Sequence, residues 1–192
     1  MSINIPNALT WFRILLIPLF VGTLYLPTYW ASEQVANLIA TILFVLAAAT
    51  DWFDGYLARR LNQQSAFGAF LDPVADKLMV GAALIVLVEF NRVNAVVAVI
   101  IIGREITISA LREWMAQIGQ SRKVAVSYIG KVKTVAQMVA ITFLLYYGRI
   151  GPIDCRQIGT WLIWIAALLT LWSMAYYLRI AMPSRGAGEA GR

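Results

Sequence analysis

The sequence predicts an all-α integral membrane protein with six transmembrane helices, and three observations carry that reading. Apolar side chains make up 60% of the 192 residues. Only 14% are charged, against roughly a quarter in an ordinary soluble domain, and mean hydropathy is +0.71. The apolar residues fall into six runs, near 7–30, 34–59, 68–90, 93–118, 126–148 and 157–180, separated by polar or turn-forming clusters. A membrane helix needs about 20 predominantly apolar residues, so the chain holds six spans with short loops and no second domain. The bundle occupies residues 1–182, and Pro183–Arg192, rich in Gly, Pro, Arg and Ala, reads as a disordered polar tail. A soluble enzyme, a disordered protein and a receptor with a large outer domain are all excluded.

The spans differ in quality along the chain. The first has no cationic lead before Arg13, so it reads as mature protein, not as a cleaved signal. The second runs uncharged to Thr50 and then meets Asp51 and Asp54. The third is uncharged only over Leu78–Val88 and reaches membrane length by taking in Asp72, Asp76 and Lys77. The fourth takes in Arg104 and Glu105, and the fifth opens on Lys131 and Lys133. The sixth, Gln157–Leu178, is a long uncharged run whose Trp161, Trp164 and Trp172 suit interfacial belts and helix packing. Cys155 precedes it in an outer loop. Charges inside a span cost about 2.5–3.5 kcal/mol each and turn toward a polar interior, which implies a water-accessible cavity.

With the N-terminus inside, twelve Lys and Arg lie toward the cytoplasm, Arg92, Arg149 and Arg156 lie outside, and Arg104 is near mid-membrane. That asymmetry sets the orientation, and six spans put both termini in the cytoplasm. The basic residues are dispersed between apolar runs, so the net charge of +6 suits an anionic inner leaflet and gives no nucleic-acid patch. Histidine is absent, which excludes imidazole catalysis, and the single cysteine excludes an internal disulfide or a multi-cysteine metal site.

The strongest pattern is acidic. Asp51, Asp54, Gly55 and Ala58 form one helical stripe, and Gly68, Asp72 and Asp76 form another. The short connection centres on Gln63, so in an antiparallel pair the four carboxylates meet at matching depths. Gly55, Ala58 and Gly68 remove bulk beside them. Four carboxylates so close repel strongly, and two divalent cations cancel their charge. All-oxygen ligation favours two Mg²⁺ or Mn²⁺ ions, a pair suited to in-line phosphoryl displacement. The alternatives on residues alone are an ion-pair network with Arg59 and Lys77, or a proton path in a transporter. Transporters of that kind carry repeated halves, and the sequence shows no repeat.

A second group is basic. Arg104 and Arg112, eight residues apart on the fourth span, lie near one helix face, and Lys131 and Lys133 open the fifth. Converging, they make a cationic pocket for a phosphorylated acceptor, since Arg and Lys bind phosphate through charge-assisted hydrogen bonds. Otherwise Arg104–Glu105 is a local ion pair and the lysines serve topology. Asn7, Thr10 and Arg13 share one side of the first helix, as a helix start and a snorkelling anchor also would.

Asp51-x-x-Asp54-Gly55-x-x-Ala58-Arg59 with Gly68-x-x-x-Asp72-x-x-x-Asp76 resembles the signature of the CDP-alcohol phosphotransferase family at every defining position. Asn4–Thr10 with Arg13, Arg104–Ile106 through Ala110–Glu113, and Gly130–Thr134 extend the resemblance over residues 3 to about 180, toward bacterial members that use a glycerol phosphate acceptor. The resemblance implies transfer of a phosphatidyl group from CDP-diacylglycerol to sn-glycerol 3-phosphate with release of CMP. It implies that Asp51, Asp54 and Asp72 are metal ligands, and that Asp76 is a ligand and the general base. Asn7, Thr10, Arg13, Gly55, Ala58, Arg59 and Gly68 then bind the liponucleotide, and Arg104, Arg112, Lys131 and Lys133 the acceptor phosphate. A homodimer in the bacterial inner membrane, with its site facing the cytoplasm and membrane lipids around it, follows from the same likeness. A family member using inositol phosphate, serine or phosphatidylglycerol as acceptor is the nearest alternative, and a small cation or proton transporter a more distant one.

Overall fold

The computed structural model describes residues 5–61, 66–118 and 128–181; for 5–7, 51–61, 66–67, 69, 128–131 and 176–181 the description is of the backbone alone. Those residues form six helices: α1 (Ile5–Leu24), α2 (Glu33–Leu61), α3 (Ala66–Glu89), α4 (Ala95–Gln117), α5 (Tyr128–Tyr146) and α6 (Cys155–Ala181). A two-stranded ribbon, β1 (Arg149–Ile150) paired antiparallel with β2 (Ile153–Asp154), precedes α6.

Two boundaries differ from the sequence reading. The first helix stops at Leu24 and not near residue 30, because Pro27 has no N–H to continue the ladder and disfavours helix in the residue before it. Cys155 is not in a loop: it opens α6 with no exposed surface. The ribbon turns at Gly151, at φ +58°, and Asp154 then caps α6 by accepting from the backbone N–H groups of Arg156 and Gln157. The tail expected at Pro183–Arg192 and the polar joint between the fourth and fifth runs lie outside the described residues.

The helices run alternately up and down. At one end, Arg92 in the α3–α4 loop donates to the carbonyls of Leu144 (3.3 Å) and Leu145 (3.0 Å) and to Asn37 Oδ1 (2.9 Å), pairs with Glu33 (3.4 Å), and lies 4.4 Å from the Tyr147 ring centroid. It satisfies buried carbonyls at the end of α5 and fastens the start of α2 to them. Tyr25 donates to Glu89 across the same end. Toward the opposite end, side-chain contacts join the first half of α1 to the first half of α3, and the middle of α4 to the first half of α5 and the second half of α6.

Between the two ends the core is apolar. Phe20 meets Phe44 edge-on at 5.9 Å, with Met79, Leu84, Leu87, Ile101, Ile141 and Leu144 fully or almost fully buried. Ala40, Ala47, Ala83, Ala140 and Ala166 are buried without exposure, and small residues let helices in lipid approach closely. Gly159 marks a close approach of α5 to α6, where an added Cβ would lie 2.8 Å from Leu144 Cγ and 3.2 Å from the Ala140 carbonyl.

The outer surface inverts the soluble pattern. Leu15, Leu19, Ile42, Leu46, Ile85, Val99, Trp161 and Leu168 are exposed, whereas Arg13, Arg104 and Lys133 are buried. An apolar exterior around a charged interior is that of a protein dissolved in lipid. The α2 stretch Glu33–Thr50 and the α6 stretch Cys155–Ala175 are each long and apolar enough to cross a membrane.

Candidate active site

Asp72 and Asp76, four residues apart, lie on one face of α3, and α1 supplies their partners. Thr10 Oγ1 donates to Asp72 Oδ1 at 3.0 Å. Arg13 Nη1 reaches Asp76 Oδ1 at 3.2 Å and Asp72 Oδ1 at 3.6 Å. Arg13 has no exposed surface, whereas the Asp72 and Asp76 side chains keep 38% and 47% of theirs. The guanidinium thus holds the two acids from behind while their open side faces solvent. A single nitrogen, Nη1, serves both carboxylates. Helix α1 packs on both α2 and α3 more extensively than the described parts of those two pack on each other.

The second cluster joins α4, α5 and α6. Lys133 Nζ, wholly buried, pairs with Glu105 Oε1, and Arg104 Nη1 pairs with the same oxygen at 3.3 Å. Arg104 Nη2 also donates to Ser173 Oγ at 3.2 Å. Arg104 and Lys133 therefore converge, through Glu105. Arg112, two turns further along α4, is exposed, and its charge and that of Arg104 both act on Lys133. Glu105 is the hub that sequence reasoning missed: it stood out only as a neighbour of Arg104, and nothing in the spacing tied it to a lysine 28 residues away.

One cavity of about 380 Å³ joins the two clusters, lined by Asp76, Lys77, Glu105 and Thr134 with Ala48, Met79, Val80 and Met138. Lys77 donates to the Pro73 carbonyl at 3.0 Å and is the one basic side chain among these lining residues. Ala48 brings α2 to this cavity three residues before Asp51.

Asp51, Asp54, Gly55, Ala58 and Arg59 lie in the last turns of α2, and Asn7 and Lys131 in the first turns of α1 and α5. Their side chains lie outside the described residues. Gly68 is in the first turn of α3, one turn before Asp72. Among the described residues no group of three or more candidate metal ligands comes together. The donors that are described do suit a hard divalent cation: two carboxylates one turn apart, oxygen only, each with exposed surface.

A helical bundle with an apolar exterior, in which one cavity lies between an Arg13-held acid pair and the Glu105–Lys133–Arg104 cluster, has the parts of a phosphotransferase. The chain belongs to the CDP-alcohol phosphatidyltransferase family, whose model matches residues 3–172. It is similar to the CDP-diacylglycerol–glycerol-3-phosphate 3-phosphatidyltransferases of Salmonella typhimurium, Shigella flexneri and Escherichia coli K12, with 51% identity over 183 residues, 94% of this chain and 96% of each relative.

Proposed function

We propose that the chain transfers the phosphatidyl group of CDP-diacylglycerol to sn-glycerol 3-phosphate, giving phosphatidylglycerophosphate and CMP. The observation that carries this reading is the cavity bounded by Asp76 on one side and by Glu105, with its Lys133 and Arg104 partners, on the other. It offers one wall to a diphosphate and another to a phosphorylated acceptor. The identity to the curated relatives supports the choice of both substrates.

Asp72, Asp76, Asp51 and Asp54 would hold two Mg²⁺ or Mn²⁺ ions, which when bound neutralise the diphosphate and the departing CMP. Thr10 and Arg13 fix the Asp72 and Asp76 carboxylates toward the cavity, and with Asn7, Gly55, Ala58, Arg59 and Gly68 they frame the liponucleotide. Asp76 takes the proton from the 1-hydroxyl of glycerol 3-phosphate. That oxygen attacks the phosphorus bearing diacylglycerol, the bond from this phosphorus to the bridging oxygen breaks, and CMP leaves. Arg104, Arg112, Lys131 and Lys133 hold the acceptor phosphate, which displaces Glu105 from Lys133. All six helices span the bacterial inner membrane, with both termini and the site at the cytoplasmic side, and the enzyme works as a homodimer among membrane lipids.

The direct test incubates purified protein with Mg²⁺, CDP-diacylglycerol and glycerol 3-phosphate, inositol phosphate, serine or phosphatidylglycerol, and measures CMP. Release is expected with glycerol 3-phosphate, and preference for another acceptor overturns the substrate assignment. In the same assay Lys133→Gln should raise KM for glycerol 3-phosphate. Loss of one charge-assisted bond to phosphate costs about 1.5–3 kcal/mol, or roughly 10- to 150-fold in kcat/KM. A rise confined to KM for CDP-diacylglycerol would instead place Lys133 on the other substrate.

Topology is tested at the β1–β2 ribbon, because Cys155 is buried and is a poor target. Ile153 is 43% exposed, so Ile153→Cys should react with a membrane-impermeant maleimide in intact cells once the outer membrane is opened. Labelling only after the inner membrane is breached would reverse the orientation.

A further inference from the structure

Glu105 is the most accessible member of the basic cluster. The Lys133 side chain has no exposed surface and that of Arg104 only 8%, whereas Glu105 keeps 27% and lines the reaction cavity. Both cations meet one and the same oxygen, Oε1. Arg104 Nε is buried without a hydrogen-bond partner among the described residues, so the carboxylate leaves a donor of this cluster unused. A phosphate monoester has three terminal oxygens and a charge of about −2 near neutral pH, which suits Lys133, Arg104 Nη1 and that spare donor better than one carboxylate does. Another cation is within reach of Glu105: Lys77 lines the same cavity, and its charge acts on Glu105.

We propose that Glu105 is an exchangeable counter-ion, which leaves Lys133 for Lys77 when the acceptor phosphate arrives and returns to expel the phosphate of the product. The proposal rests on the reaction given above and adds how its acceptor site is emptied. Phosphatidylglycerophosphate keeps the phosphate that glycerol 3-phosphate brought, so every contact that holds the acceptor also holds the product. Contacts equal in both states tighten binding without speeding the chemistry, and buried cations alone would retain the product. A carboxylate on the same helix as Arg104 offsets this. It is a tethered competitor whose local concentration does not change, so it weakens the binding of acceptor, product and inorganic phosphate by one common factor. Between turnovers it also keeps Lys133 and Arg104 from lying buried without a counter-ion.

Glu105→Gln keeps the size of the side chain and removes the competitor. In the CMP assay it should lower KM for glycerol 3-phosphate about tenfold, the lower end of what a close charge pair contributes. The Ki of inorganic phosphate, competitive with glycerol 3-phosphate, should fall by the same factor, and kcat should fall as product leaves more slowly. A carboxylate that merely holds Lys133 in place predicts the reverse, a higher KM and weaker inhibition by phosphate, and that result overturns the proposal. An unchanged kcat overturns the part of Glu105 in release. If Glu105→Gln does not fold, Glu105→Asp keeps the charge on a stem one carbon shorter; KM and Ki should then fall together by a smaller factor, and no fall overturns the exchange. Thermal unfolding in detergent without Mg²⁺ separates the exchange from the reaction. Inorganic phosphate should raise the midpoint more in Glu105→Gln than in wild type, and an equal rise overturns the exchange even where CMP is released. A larger rise in the variant, with no CMP released by wild type on glycerol 3-phosphate, would sink the reaction and leave the anion exchange standing.

Discussion

Asp72→Asn is expected to insert and fold normally and to release almost no CMP. The amide keeps the oxygen that accepts from Thr10 and nearly the same volume, so the contacts of α1 with α3 survive. What is lost is one negative charge from a set whose proposed task is to hold two divalent ions. Such ions supply several kcal/mol of transition-state stabilisation, so their misplacement should cost about 1,000-fold or more in kcat. Raising Mg²⁺ should recover little. A correctly folded Asp72→Asn protein with near-normal turnover would remove Asp72 from the chemistry and end the two-ion reading.

Arg13→Gln should show the next largest effect, and chiefly in stability. Arg13 is wholly buried between two acids, and removing one side of a buried ion pair costs about 3–5 kcal/mol. Both carboxylates keep solvent contact here, so about 2–3 kcal/mol is the expected loss. The apparent midpoint of thermal unfolding in detergent should fall accordingly. Mg²⁺ should restore more of it in the variant than in wild type, because the ions and Arg13 neutralise the same acids. An equal response to Mg²⁺ in both proteins would mean that the cation does not bind at Asp72 and Asp76. Arg13→Lys should recover only part of the stability, since it keeps the charge on a shorter stem that falls short of the position of Nη1 between the two acids.

The six apolar runs and the polar joints between them located the six helices. That pattern overran at α1, where the residues up to Trp30 are apolar enough to extend the run and only Pro27 signals the stop. The acidic stripe on α3 was legible from four-residue spacing. Its partners were not: Thr10 and Arg13 sit more than 60 residues away, and no local period reports which helix packs against which. Arg92 was legible as a loop charge but not as a buried tie between helices, because its partners include backbone carbonyls, which the sequence does not distinguish. The ribbon was hidden for another reason: two strands of two residues are too short to show alternation.

The knot around Arg92 bears on how the chain is threaded through a charged membrane. In the proposed orientation the outer end carries Glu33, Glu89 and Asp154 with Arg92, Arg149 and Arg156, three acids against three bases. Arg92 is matched by Glu33, and Arg149 by Asp154. The whole formal excess of +6 therefore stays on the other side. Moving one elementary charge through a 100 mV potential takes about 2.3 kcal/mol, and an electrically balanced segment is exempt from that work. Export of these loops is thus nearly indifferent to how strongly the cell is energised, whereas reversing the chain would require dragging its entire positive surplus against the field.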